Sequence, residues 1–337
     1  MLCELSATDP NFPRYPRLPV HICSGYTRTQ TQNPHTPHHS IDASFILREA
    51  RYWDHVHPDP RTPQLWHDPQ LFELFFGAEY RWLVERAVLC GPDVLELGCG
   101  EGTLALELTR RGCTVTGIDL SPDRIRRATL KAQTEGLGQR VTFQTADLNT
   151  VVLEPNRYSC ILAHDSLHHV LNLDHLLNQV RIALGRDGRL LVMDYSGMGR
   201  VRKLAAAFLY AILPTYKPYR DKWMLRGRLA RFLATESEKR EAIERGETAT
   251  LHSESPFEEI SQSSLPRLLH EMFDVTRFST MLPFWFYLAP KLRFPQRLKY
   301  RMAELFRSMD DAMSHLGIRG AWFTVEARNL TRASTAA

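Results

Sequence analysis

The chain has 337 residues, 43% of them hydrophobic and 24% charged, the balance of a water-soluble globular protein with one large domain or two small ones. A net charge of +4 is too mild to imply a nucleic-acid partner, and no run approaches the ~20 apolar residues of a membrane span. The first residues lack the basic start and apolar core of a secretory signal. Six cysteines (Cys3, Cys23, Cys90, Cys99, Cys113 and Cys160) form no C-x-x-C pair, so the expectation is a cytoplasmic protein with reduced thiols and no metal site.

Residues 1–42 are rich in Pro, Thr, His and Gln and lack periodicity, which predicts a disordered tail. His35, His38 and His39 have no acidic or Cys neighbours that would make them a metal cluster. Order is expected to begin with a helix near residue 43, capped by Asp42 or Ser44. A second helix over 70–88 should turn Leu71, Leu74, Phe75, Ala78, Trp82 and Ala87 toward a core.

From 90 to 195 strands and helices alternate, which argues a parallel sheet with helices on both faces. The first unit is Asp93-Val-Leu-Glu-Leu-Gly-Cys-Gly-Glu-Gly-Thr103: a buried strand, a glycine turn led by Glu96, then a helix. Without Cβ atoms, Gly98, Gly100 and Gly102 let backbone amides approach a ligand, and the helix start points its own amides at the same place. A dinucleotide fold would want G-x-G-x-x-G; here the third glycine comes one residue early, and the Glu96 carboxylate suits a cationic ligand better than a pyrophosphate.

Glu96-x-Gly98-x-Gly100-x-Gly102 resembles motif I of the class I S-adenosylmethionine (SAM) methyltransferases. The resemblance extends over about 45–330, and a methyltransferase domain is expected over 43–330. It implies an α/β Rossmann-like sheet, parallel with an antiparallel last strand, and SAM as cofactor on Glu96, Gly98, Cys99, Gly100 and Gly102. The second strand, 114–118, ends in Asp119, 21 residues after Gly98 (119−98), where an acid can accept both ribose hydroxyls. Leu120 follows as a further expected contact, and Ser121-Pro122-Asp123 carries the capping chemistry of a helix start. After the third strand, 141–144, the family implies an adenine contact for Asp147, with Ala146 and Leu148 flanking the ring. Tyr52 or Trp53 would cover the cofactor or simply pack. The fourth strand, 158–163, carries Ser159 where the family has Asp, and ends at Ala163, the last of the expected cofactor contacts.

The fourth strand leads into His164-Asp-Ser-Leu-His-His-Val170, and the fifth, 189–193, into Asp194. Ligands of open α/β sheets bind outside the carboxyl ends of strands, and His168, His169 and Asp194 all fall there. A hydroxyl attacks a methyl sulfonium poorly until a base takes its proton; histidine titrates near neutrality, and a carboxylate can orient it. Asp165-Ser-Leu-His-His resembles a stretch of the rebeccamycin-type sugar O-methyltransferases, in which both histidines and a fifth-strand Asp act at the substrate hydroxyl. At least one of His168 and His169 is therefore expected to serve as base, supported by Asp194.

Beyond 196 the chain is individual. A helix over 201–213, stopped by Pro214, aligns Val201, Leu204, Ala205, Phe208, Leu209 and Ile212 on one face. Arg200 to Arg231 holds nine Lys or Arg and one acid, Asp221. The expectation is a lid insertion over 200–260 packed on the sheet; the alternative is peripheral membrane contact through 200–231. The aromatics of 283–290 should wall an apolar substrate, within a second insertion over 283–318, and 331–337 should be a tail. No Asn-Pro-Pro-Tyr or Pro-Cys motif points to nucleic-acid bases. The expected activity is methyl transfer to a small, partly apolar molecule, at a hydroxyl oxygen. The alternatives are C-methylation of a quinone or lipid-like ring, and SAM binding without catalysis.

Overall fold

The computed structural model of the protein describes residues 43–55, 64–223, 229, 232–246 and 255–330. The expectations for 1–42, for His35, His38 and His39, for the Asp42 cap and for 331–337 lie outside those residues, as do parts of 200–260. Seven strands form one sheet in the order β3-β2-β1-β4-β5-β7-β6. They are β1 (Asp93–Leu97), β2 (Thr114–Asp119), β3 (Val141–Thr145), β4 (Tyr158–His164), β5 (Leu184–Tyr195), β6 (Phe273–Met281) and β7 (Trp322–Asn329). β1 to β5 pair with one another in parallel, and β7 runs antiparallel between β5 and β6, as expected.

Apolar residues run almost continuously along β1, β4 and β5 because both faces of the sheet are covered. On one face lie α2 (Pro69–Cys90) and α3 (Thr103–Arg110). On the other lie α5 (Leu173–Ala183) and α9 (Ser264–Met272). The chain leaves β1 toward β2 on one side and returns to β4 on the other, which opens a crevice at the carboxyl ends of β1 and β4.

Local chemistry explains the main helix starts. Asp68 accepts the Gln70 and Leu71 N–H groups at the head of α2, with Pro69 in its first turn. The core side of α2 is Leu71, Phe75, Phe76, Leu83, Val84 and Ala87; Ala78, expected inside, faces solvent. Ser121 accepts the Arg124 N–H at the head of α4 (Pro122–Thr134), as its sequence predicts. Ser159 donates to the Asp93 carbonyl (2.8 Å) and accepts the Asp93 N–H (3.2 Å), so it clips β4 to the start of β1.

Two expectations fail beyond β5. In α6 (Arg200–Ile212) the apolar stripe points away from the sheet: Val201 is 80% and Phe208 64% exposed, with Leu204 and Ile212 also exposed. The buried face instead carries Ala206 and Lys203. Lys203 goes inside because its ammonium meets the partly buried Glu259 at 2.9 Å, and Lys239 of α8 (Glu236–Glu244) meets the same carboxylate at 2.9 Å. Periodicity assigns lysine to solvent and misses such a pair. Other basic residues of this region are engaged by the protein itself. Arg202 donates to the Pro283 and Arg319 carbonyls, Arg200 to Glu238, and Lys222 of α7 (Tyr219–Trp223) to the Leu213 carbonyl.

The second failure is the aromatic run after β6. Phe284, Phe286 and Leu288 are buried in the core around α10 (Trp285–Leu288), and Trp285 stacks on Phe306 of α11 (Gln296–His315). Asp310 of α11 fixes this by accepting three N–H groups, from Phe284, Trp285 and Phe286, at 2.8–2.9 Å. The segment is core rather than rim. Among the described residues no helix is long and apolar enough to cross a membrane.

Candidate active site

The glycine turn is built as its sequence requires. Gly98 and Gly102 have φ of 72° and 76°, the left-handed region that favours glycine. A Cβ on Gly102 would sit 2.6 Å from Phe143, and one on Gly98 would collide with Ser166. The Gly98 and Cys99 amides bond back to the Ile118 carbonyl, which fixes the turn against β2. Asp119 at the tip of β2 accepts the Gly100 N–H (2.8 Å) on one oxygen and the Ser121 N–H (2.9 Å) on the other. Each oxygen keeps a lone pair for a further donor such as a ribose hydroxyl.

Glu96 is buried, and its Oε2 has no hydrogen-bond partner among the described residues. Burial, with the nearby Asp119 charge, pushes its carboxyl up to about 8 against the opposing pull of the Ala105 N–H. An orphaned buried carboxyl beside a turn whose glycines carry no side chains fits the ammonium end of SAM, so Glu96, Gly98, Gly100, Gly102 and Asp119 would hold that cofactor. The other expected contacts divide. Leu120, Ala146 and Asp147 are partly open to the crevice, with Asp147 also bonding the Asn149 side chain (2.8 Å) and Leu148 buried behind it. The Cys99 thiol turns under the loop toward Gly117, so only its backbone faces a ligand. Ala163 is wholly buried in the core of the α5 face and offers a ligand no exposed surface.

The rim of β4 and β5 holds the second group. His168 Nδ1 lies 2.5 Å from Asp194 Oδ1, and both side chains are buried. Asp194 is saturated: it also accepts the Tyr195, Leu167 and Ser166 N–H groups. Burial alone would push the His168 pKa down, but the Asp194 charge and hydrogen bond, with Asp165, outweigh it and lift it to about 10. His168 is thus an imidazolium at neutral pH. His169, beside it with ring centroids 4.2 Å apart, is partly open to the crevice. Ligand atoms of Asp165, His168 and Asp194 lie within 4.8 Å of one another, as do those of His168, His169 and Glu258. The first set is spent on its own ion pair, and the second depends on a half-exposed Glu258.

Several neighbours of the site, Trp53 apart, are invisible in the sequence. α1 (Ala43–His55) brings Glu49, Trp53 and Asp54 to the crevice. Trp53 sits between the Arg124 guanidinium (4.3 Å from its ring) and His169 (5.2 Å), so of Tyr52 and Trp53 it is the one placed over the histidine turn. Asp54 accepts the Ser121 hydroxyl at 2.5 Å. Along α2, Phe72, Phe76 and Tyr80 cluster with Trp66, His164, Tyr195 and Trp322. His164 Nε2 and Trp322 Nε1 are buried there without partners among the described residues. These side chains come from well-separated elements, and no local pattern announces them.

A β3-β2-β1-β4-β5-β7-β6 sheet with a glycine cradle beneath an acidic β2 tip defines the class I methyltransferase fold. Residues 94–188, from β1 into β5, match the family model described as a methyltransferase domain, so this stretch of the chain is a SAM-dependent methyltransferase domain. Methyltransferase GfsG of Streptomyces halstedii is 31% identical over 171 residues, 49% of this chain and 60% of that protein. The 27-O-demethylrifamycin SV methyltransferase of Amycolatopsis mediterranei (strain S699) is 31% identical over 106 residues, 31% of this chain and 39% of the relative. The ubiquinone biosynthesis O-methyltransferase of Xylella fastidiosa (strain 9a5c) is 29% identical over 133 residues, covering 39% and 51%. The chain therefore spans between 39% and 60% of the length of these relatives.

Proposed function

We propose that the protein transfers a methyl group from SAM to a hydroxyl oxygen of a small, partly apolar molecule, with His169 as the base. The observation that carries this reading is the unequal state of the two histidines. His168 is locked on Asp194 and already protonated, so it has no lone pair for a substrate proton. His169 Nδ1 faces Glu49 and Ser255 at 3.5 and 3.4 Å, which leaves Nε2 to accept one. When bound, SAM would supply an electrophilic methyl carbon and leave as the neutral demethylated thioether, with the S–CH3 bonding pair returning to sulfur. His169 Nε2 takes the hydroxyl proton as the oxygen attacks, and the neighbouring carboxylates stabilise the imidazolium that results.

The partly buried rings of Trp66, Phe72 and Tyr80 beside His164 support a flat or ring-bearing acceptor. Two relatives carry O-methylation in their names, on a rifamycin and in ubiquinone biosynthesis. The test is turnover of SAM with a methyl label against a panel of phenols, quinols and macrocyclic alcohols. A product whose methyl carbon has the NMR shift of a methyl ether is expected. A label found on ring carbon would overturn the hydroxyl assignment.

A further inference from the structure

We infer that Glu49, on the covering helix α1, is the positioning carboxylate of His169, so that the base is complete only while α1 is docked. This rests on His169 acting as base. Glu49 is 2% exposed, lies 120 residues before His169 (169−49), and reaches it only through the tertiary fold.

Three donors aim the Glu49 carboxylate. Trp53 Nε1 donates to Oε1 at 2.7 Å, the Ser255 hydroxyl lies 2.8 Å from both oxygens, and the Phe257 N–H reaches Oε2 at 3.2 Å. So held, Oε1 stands 3.5 Å from His169 Nδ1. Burial pushes the Glu49 carboxyl up, but the hydrogen bond and charge of His169, with Ser255 and Trp53, outweigh it and keep it below its ordinary value. The carboxylate is therefore charged at neutral pH.

That charge answers a specific difficulty. His168 is an imidazolium whose ring centroid is 4.2 Å from that of His169, and a second positive charge beside it is unfavourable. The groups facing His169 are Glu49 from α1, His168 in its own turn, Glu258 at 3.9 Å from the segment after 255, and the more distant Asp165 and Asp119. Asp194 is engaged by His168, and Glu258 is half-exposed, where solvent screens it. Glu49 is the buried acid left to balance a protonated His169. The same helix anchors Asp54 on Ser121 and lays Trp53 against Arg124, so docking of α1 over the cofactor side also sets the base.

The test uses the full chain with the demethylated cofactor bound and histidines labelled at 13Cε1, the His169 signal being assigned by its loss in His169→Gln. In Glu49→Gln the His169 signal should move, because the carboxylate 3.5 Å from its Nδ1 loses its charge. The acid limb of kcat/KM should move to lower pH in step, and kcat should drop ~10-fold. Glu49→Asp should restore part of both. Ser255→Ala loosens the clamp but leaves the carboxylate, so it should lower the melting temperature more than it moves the limb. If the His169 signal is the same in wild type and Glu49→Gln and the limb stays put, Glu49 is only a staple between α1 and the 255–257 segment. Unimpaired turnover in His169→Gln would instead overturn the base reading itself.

Discussion

Asp194 Oδ1 lies 2.5 Å from His168 Nδ1, while the other oxygen of Asp194 accepts the Leu167 and Ser166 amides. One buried carboxylate thus holds both the charge of the rim histidine and the backbone turn that presents its neighbour. Asp194→Ala should cost about 3–5 kcal/mol of stability, because it strands a buried imidazolium. The pH dependence follows from the raised His168 pKa. Its contribution is fully present below the unfolded value of 6.5 and is lost as pH rises through about 10. Melting temperatures of wild type and His168→Gln should therefore converge across that interval.

Asp119 bears on both cofactor and turn. Asp119→Ala should weaken SAM by ~1.5–3 kcal/mol for the lost charged hydrogen bond, and should also free the Gly100 and Ser121 amides. Calorimetry at fixed temperature measures the first effect, and melting of the free protein the second. Unchanged SAM affinity would remove Asp119 from the site.

Glu96 gives a proton-counting experiment. With its carboxyl lifted to about 8, the free protein holds that proton through neutral pH. An ammonium brought against Oε2 favours the ionised form, so SAM binding at neutral pH should release nearly one proton from this group, and progressively less as pH rises past about 8. Binding heats in buffers of different ionisation enthalpy read this directly. Glu96→Gln should abolish the release; buffer-independent heat in wild type would mean that the ammonium binds elsewhere.

Asp310 is a purely structural test. Removing the acceptor of three buried amides should cost about 3 kcal/mol or more in Asp310→Ala, at ~1–3 kcal/mol per unsatisfied group. Chemical denaturation measures it, and Asp310→Asn, which keeps one acceptor oxygen, should lose less.

What the sequence discloses is local. Glu96 and the glycines, Asp119, the Ser121 cap and the His168–Asp194 pair each follow from a strand end and its adjoining turn, where spacing fixes position. Glu49, Trp53 and Arg124 converge from two helices, and the Trp66–Trp322 contact joins opposite ends of the chain. No period or motif encodes such meetings. Periodicity misreads α6 because its inward residue, Lys203, is buried by virtue of a distant Glu259. It misplaces the aromatics after β6 because Asp310, a turn of helix away from Phe306, gathers their amides into the core.

Gly98 has no room for a side chain because Ser166 fills the space, and the Ser166 hydroxyl donates to the Leu97 carbonyl at 2.7 Å. The cofactor cradle and the histidine turn are thereby keyed together like tongue and groove. Neither loop can shift without carrying the other, so Gly98→Ala should disturb the histidines as much as the cradle, and the two halves of the reaction centre share a single mechanical reference.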